Sequence, residues 1–405
     1  MKKIVLSLAS VLVATAFAPE ASAVPAFARQ QGKACSTCHF QHYPALNDYG
    51  RSFKAAGYTE MGKQGTIKGE GLSLPEVLNS SLFFKFRYVD TNGTDASGVP
   101  TAASGQWQIP DEFALLMGGR VSENAGFLLE AQLIDNTAPV LAGFKMPIMF
   151  PVGEGEMKVG AVPFSTDGLG ASYGFELLNT GAVRNVRVSE NRNETSAQQY
   201  IGTAQGAQGV AFVVADPMFF VNVSRYANGS ATDQKMSLTY LRAAVTPTIG
   251  EWDMGFGVQS WSGNQADSTG LAGNDFKATA IDAQAQGAVG GMPLGLYFTY
   301  ATAPKSGATA NTFNTGTNAD KKATTITAEL GVLPGTATVL VGYRNADTGA
   351  ATNAKDNAVT LGGTYQFAQN IQLQLTYSKR DKNGTTGRYA GGGDTQTLFM
   401  LSAGL

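Results

Sequence analysis

The sequence predicts an all-β fold: an outer-membrane antiparallel β-barrel of about sixteen strands, with about eighteen as the alternative, and a small N-terminal segment plugging the lumen. Three observations lead there. Beyond Pro75, apolar and polar residues alternate with period two, as in Ile371, Leu373, Leu375 and Tyr377 against Gln372, Gln374, Thr376 and Ser378. Polar connections alternate between long and short. Past the leader, no stretch supplies the roughly 20 consecutive apolar residues that a membrane helix needs.

The chain opens with the features of an export signal at residues 1–23. Lys2 and Lys3 give a positive start, Ile4 to Phe17 an apolar core, and Ala21-Ser22-Ala23 a small-residue cleavage site, so the mature chain is expected to begin near Val24. With 15% charged residues, 49 glycines and a formal net charge of −2, the composition suits strands that face lipid on one side and water on the other. It offers no basic excess for nucleic acid.

Residues 24–75 have another texture. Basic residues outnumber acidic ones, and two-residue alternation is lacking. The segment carries Cys35-Ser36-Thr37-Cys38-His39, which holds both cysteines of the chain. This spacing is that of covalent haem attachment: each thiol forms a thioether to the porphyrin and the imidazole binds iron. A structural zinc site would need four ligands, yet the chain has only His39 and His42 beside the thiols, which leaves a Cys35–Cys38 disulfide as the main alternative. About fifty residues bury little core, so one haem c would organise this segment. Arg51 and Lys54 are candidates to pair with its carboxylates, a solvated basic face being the alternative. His42 is too close to His39 to reach the opposite face of the ring, whereas Met61 has a spacing that suits a distal thioether.

Residues 76–405 read as the barrel. Leu82, Phe84, Phe86 and Tyr88 alternate with Lys85 and Arg87, and Val359, Leu361 and Tyr365 with Thr360, Thr364 and Gln366. Tyr88, Tyr343, Tyr365, Phe367 and Tyr377 stand near strand ends, as an aromatic girdle would. Long polar stretches at Thr91 to Gly105, Gly263 to Asp275, Pro304 to Lys321, Asp347 to Asp356 and Asp381 to Asp394 alternate with tight turns such as Gly290-Pro293 and Pro334-Gly335. Between Pro139 and Gln208 the pattern is interrupted by Pro147, Pro151 and Pro163. Lys85, Arg87, Arg225, Arg344 and Arg380 are expected in the lumen, available to fix the plug. The last strand, with Phe399, Leu401, Ala403 and Leu405 on one face, is expected to close the ring.

Ala26-Phe27-Ala28-Arg29, then Cys35-Ser36-Thr37-Cys38-His39-Phe40-Gln41-His42-Tyr43-Pro44, then Leu46-Asn47, Gly50-Arg51, Phe53-Lys54 and Gly57-Tyr58-Thr59 closely resemble the N-terminus of the fused outer-membrane cytochrome-porins of iron-oxidising bacteria. The resemblance implies one covalent haem c, held by Cys35 and Cys38 with His39 as proximal ligand. It further implies one-electron transfer from extracellular Fe(II) to a periplasmic cytochrome c or cupredoxin, an Fe(II):cytochrome c oxidoreductase activity in the outer membrane of a Gram-negative bacterium. Asp90, Asp95, Asp267 and Asp275 are the acidic residues in or beside outer loops that could attract Fe²⁺. Two alternatives stand beside this: the same conduit serving another extracellular donor or acceptor, and a non-redox diffusion porin with a disulfide in its plug.

Overall fold

The computed structural model of the chain describes residues 25–94, 99, 104–134, 141–181, 189–229, 235–266, 273–382, 387–389 and 392–405. The leader expected at residues 1–23, and Asp95 and Asp267, lie outside the described residues.

Two short helices open the described chain, α1 (Pro25–Gln31) and α2 (Asp48–Ala55), with a 3₁₀ turn at Cys35–Thr37 between them. A small hairpin follows, β1 (Thr66–Gly69) and β2 (Leu72–Pro75). The wall begins with β3 (Ser80–Thr91), β4 (Gln106–Arg120), β5 (Gly126–Gln132), β6 (Leu141–Lys145), β7 (Ile148–Pro151) and β8 (Lys158–Thr166). After an inward excursion holding α3 (Arg192–Thr195) and α4 (Ala197–Ile201), it resumes with β9 (Ala207–Asp216), β10 (Phe219–Asn228), β11 (Leu238–Val245), β12 (Thr248–Ile249) and β13 (Trp252–Ser262). A loop hairpin, β14 (Asn264–Ala266) with β15 (Gly273–Asp275), stands outside the ring. The wall is completed by β16 (Ala278–Val289), β17 (Met292–Ala303), β18 (Lys321–Leu333), β19 (Ala337–Asp347), β20 (Ala358–Ala368), β21 (Ile371–Arg380) and β22 (Thr395–Gly404).

These segments pair antiparallel into a closed ring, β22 returning to β3 with Phe399 opposite Tyr88 and Leu401 opposite Phe86. The pairs β6/β7 and β11/β12 are each one interrupted strand, so the barrel has sixteen strands, the number expected. Proline explains the first interruption. Pro147 separates β6 from β7, and Pro163 on β8 stands opposite that gap, where its missing N–H leaves no ladder bond broken.

The alternation resolves into two faces. On β21, Gln372, Gln374, Thr376 and Ser378 are buried inside while Leu375 and Tyr377 are exposed outside. On β19, Leu340 and Arg344 point in while Val339, Val341 and Tyr343 point out. Closure satisfies every strand edge, which is what allows a sheet to face hydrocarbon with an apolar exterior. Arg225 departs from expectation. Asn222, Ser224 and Tyr226 take the inward row of β10, so the period-two pleat puts Arg225 outside, bonded to Thr239 and to the Met236 carbonyl.

Two insertions occupy the lumen. The N-terminal segment sits at the end where the tight turns lie: Arg29 bonds the Ser80 carbonyl at the start of β3, Arg120 near the β4–β5 turn bonds the Thr59 carbonyl at 3.2 Å, and Arg51 reaches Asp253. The excursion between β8 and β9 enters from the opposite end, where the long connections are. It is held by lumen cations: Arg344 bonds the Asn193 carbonyl at 2.6 Å, and Arg87 and Lys85 face Glu190 at 3.4 and 3.6 Å. Lys85, Arg87, Arg344 and Arg380 therefore face the excursion. Each has an acidic partner, Glu112 for Lys85, Asp111 for Arg87 and Asp356 for Arg344 and Arg380, and Lys85 also lines a small cavity with His42, Tyr43 and Pro44 of the plug.

Candidate functional site

The site is built by the turn that follows α1. The Cys35–Thr37 turn is closed by Cys38 N–H donating to the Cys35 carbonyl at 2.9 Å. Asn47 joins this turn to the next helix. Its side-chain oxygen caps α2 by accepting from Gly50 N–H at 2.9 Å, its amide donates to the Thr37 carbonyl at 3.0 Å, and its backbone N–H donates to the Cys38 carbonyl at 3.1 Å. Residue 50 has to be glycine for this packing, because a Cβ there would stand 2.2 Å from the Cys38 carbonyl oxygen.

His39 Nδ1 lies 3.1 Å from the Ala45 carbonyl. A carbonyl only accepts, so Nδ1 carries a proton, as in a metal-ligating imidazole oriented by its second nitrogen. The thiols are unbridged, Cys35 buried and Cys38 half-buried. Burial, and then the neighbouring Cys38, push the Cys35 thiol up to about 12; burial likewise raises Cys38, with Lys33 opposing it. Reactive dithiols of redox enzymes show the opposite shift.

A cavity of about 200 Å³ opens beside the motif. Cys38 and His39 form one edge, and Phe27, Leu46, Phe53 and Tyr58 of the plug supply apolar walls. The far side belongs to Leu128 of β5, Lys145 of β6 and Tyr173 of the excursion. Lys33 and Lys54 also line it. Cysteine, an imidazole oriented through Nδ1, aromatic walls and ammonium groups together suit a flat apolar group with anionic substituents.

The structure thus brings Cys38, His39 and Lys54 to one cavity, with Cys35 in the adjoining turn. Arg51 stands away from this cavity. It forms a two-pronged ion pair with Asp253 of β13 at 2.6 and 2.7 Å, with Asp48 at 3.2 Å, and so clamps α2 to the wall instead of facing the cavity. Met61 is half-buried in a stretch tied to α1, where Gln30 donates to the Glu60 carbonyl, and it is not part of the lining. His42 is fully engaged: Nδ1 donates to the Tyr43 carbonyl and Nε2 meets Glu329 of β18, both at 2.7 Å. In the loops, Asp275 is bonded by Lys277 at 2.7 Å and Asn264 at 3.0 Å. Lys145 and Tyr173 were missed by the sequence reading; a lysine on the inward row of a lumen strand was the one available signal for the former.

No protein-family model and no curated protein matches the sequence. Among solved structures, the chain is similar to a porin refined at 1.8 Å (12% identity, TM-score 0.48, covering 81% of this chain and 100% of that one). It is also similar to the outer-membrane channel DcaP of Acinetobacter baumannii (12%, 0.48, 81% and 97%). A third is the anion-selective porin of Comamonas acidovorans (16%, 0.47, 81% and 99%).

Proposed function

We propose that this is an outer-membrane electron-transfer protein that oxidises extracellular Fe(II) at one covalent haem c and passes the electron to a periplasmic cytochrome c or cupredoxin. The observation that carries the reading is the cavity beside Cys38 and His39, with the His39 ring oriented by the Ala45 carbonyl. Cys35 and Cys38 would form the thioethers and His39 would ligate from the proximal side. Haem supplies, when bound, a one-electron iron couple that no side chain of the chain provides. The outer-membrane location is supported by the closed ring, its apolar exterior, and long connections at one end against tight turns at the other. By that polarity the plug sits at the periplasmic mouth, where a soluble carrier can approach it, and the donor side is reached through the lumen.

A non-redox diffusion porin is the second reading, favoured by the sixteen-strand ring and its polar inward rows. One experiment separates the two: the visible spectrum of the detergent-purified, oxidised protein before and after anaerobic Fe(II). A c-type spectrum that reduces on Fe(II) and is absent from the Cys35→Ala/Cys38→Ala variant is the expected result. Colourless wild-type protein that passes solutes through liposomes hands the case to the diffusion porin. A haem reduced by dithionite but not by Fe(II) keeps the conduit and replaces the donor.

A further inference from the structure

The cavity belongs to two parts of the molecule, the plug and the wall, and its charge is one-sided. Three lysines line it, Lys33, Lys54 and Lys145, and no acidic side chain does among the described residues. Lys33 is exposed and lies over Tyr49 at 4.1 Å. Lys54 and Lys145 are buried, one on α2 and the other on β6. Burying an ammonium in an apolar-lined space is costly unless something holds it in place. Here the Tyr173 carbonyl accepts from Lys145 Nζ at 3.0 Å, and the Tyr173 ring lies 4.3 Å from it. Tyr173 fixes where the charge stands, on the wall side of the cavity.

We propose that Lys54 and Lys145 hold the carboxylates of the haem, so that the group attached to the plug by Cys35 and Cys38 is tied to the barrel wall through Lys145. This rests on the haem reading above. It adds a wall residue to the site and a role to the cofactor, that of a cross-link between two parts of the fold. A positive charge beside a carboxylate lowers the cost of electron gain at the nearby iron, so the same residue tunes the potential.

The test uses full-length, haem-loaded protein with Lys145→Met and Lys145→Arg, and Lys145→Met added to Cys35→Ala/Cys38→Ala. Because attachment is through sulfur, Lys145→Met should retain its haem stain. Its midpoint potential should fall, and Lys145→Arg should restore it. Limited proteolysis of the plug should run faster in Lys145→Met than in wild type, while the same substitution in the haem-less background should change nothing. An unshifted potential, or equal loosening with and without haem, overturns the proposal and leaves Lys145 a packing residue. Wild-type protein without haem stain overturns the haem reading itself, a result told apart because it appears before any lysine is changed.

Discussion

At the scale of single residues, the bond between His42 and Glu329 joins the plug to β18 and titrates. Burial works to lower the basicity of His42, but the Glu329 charge, its hydrogen bond and the Tyr43 carbonyl outweigh burial, and the imidazole is held above its ordinary value. The sign follows by linkage. A histidine raised on folding stabilises fully below its unfolded value, about 6.5, and that stabilisation is lost as pH rises through the folded value. Plug resistance to protease should therefore be greatest on the acidic side and decline toward alkaline pH. Glu329→Gln should flatten this dependence; an unchanged profile in that variant removes the pair as its source. The motif at Cys35–His39 could be read from sequence because its chemistry is local. The bond from His42 could not, since its partner lies 287 residues away. The partner of Arg51 was hidden for a related reason: its charge suits a carboxylate, and only the fold brings Asp253 to it.

At the scale of elements, the strands were legible wherever one face meets lipid, because a slip of one residue would exchange the faces. The described residues of the excursion between β8 and β9 lie inside the ring, and the segment showed in the sequence only as an interruption of the alternation. One of its ties to the wall is Asp356, which takes the Tyr200 hydroxyl at 3.0 Å and is itself held by Arg344 at 2.8 Å and Arg380 at 2.6 Å. Arg344 is wholly buried. Asp356→Asn leaves it without its carboxylate, a change of the kind that costs about 3–5 kcal/mol when a buried pair is broken. The segment around α3 and α4 should then exchange amide hydrogens faster while the wall strands keep their protection. If wall and excursion lose protection together, the ion pairs support the barrel as a whole and not the excursion.

For the molecule as a whole, the question is what a sixteen-strand ring transmits once two insertions fill it. Barrels of this size leave an aqueous channel when empty. Here the plug stands at the tight-turn mouth, and the spaces beside it differ in size. Two small cavities of about 40 and 30 Å³ share Tyr43, Phe83, Gln372 and Ser402 in their lining and follow the wall past the plug. Each has room for a few waters and for nothing the size of a sugar, whereas the cavity beside Cys38 and a space of about 270 Å³ between α2 and strands β8 and β9 are wider. A lumen filled from both ends should pass less than an empty ring of the same strand number. The full-length protein in planar bilayers should accordingly show a small conductance, and liposomes carrying it should not swell in sugar. Removing residues 25–64 takes away both α1 and α2 with the Arg51 and His42 clamps. The shortened chain should conduct as an open pore and swell liposomes. Sugar-driven swelling by the full-length protein would mean that the plug does not seal the mouth, and the diffusion-porin reading would gain what the conduit loses.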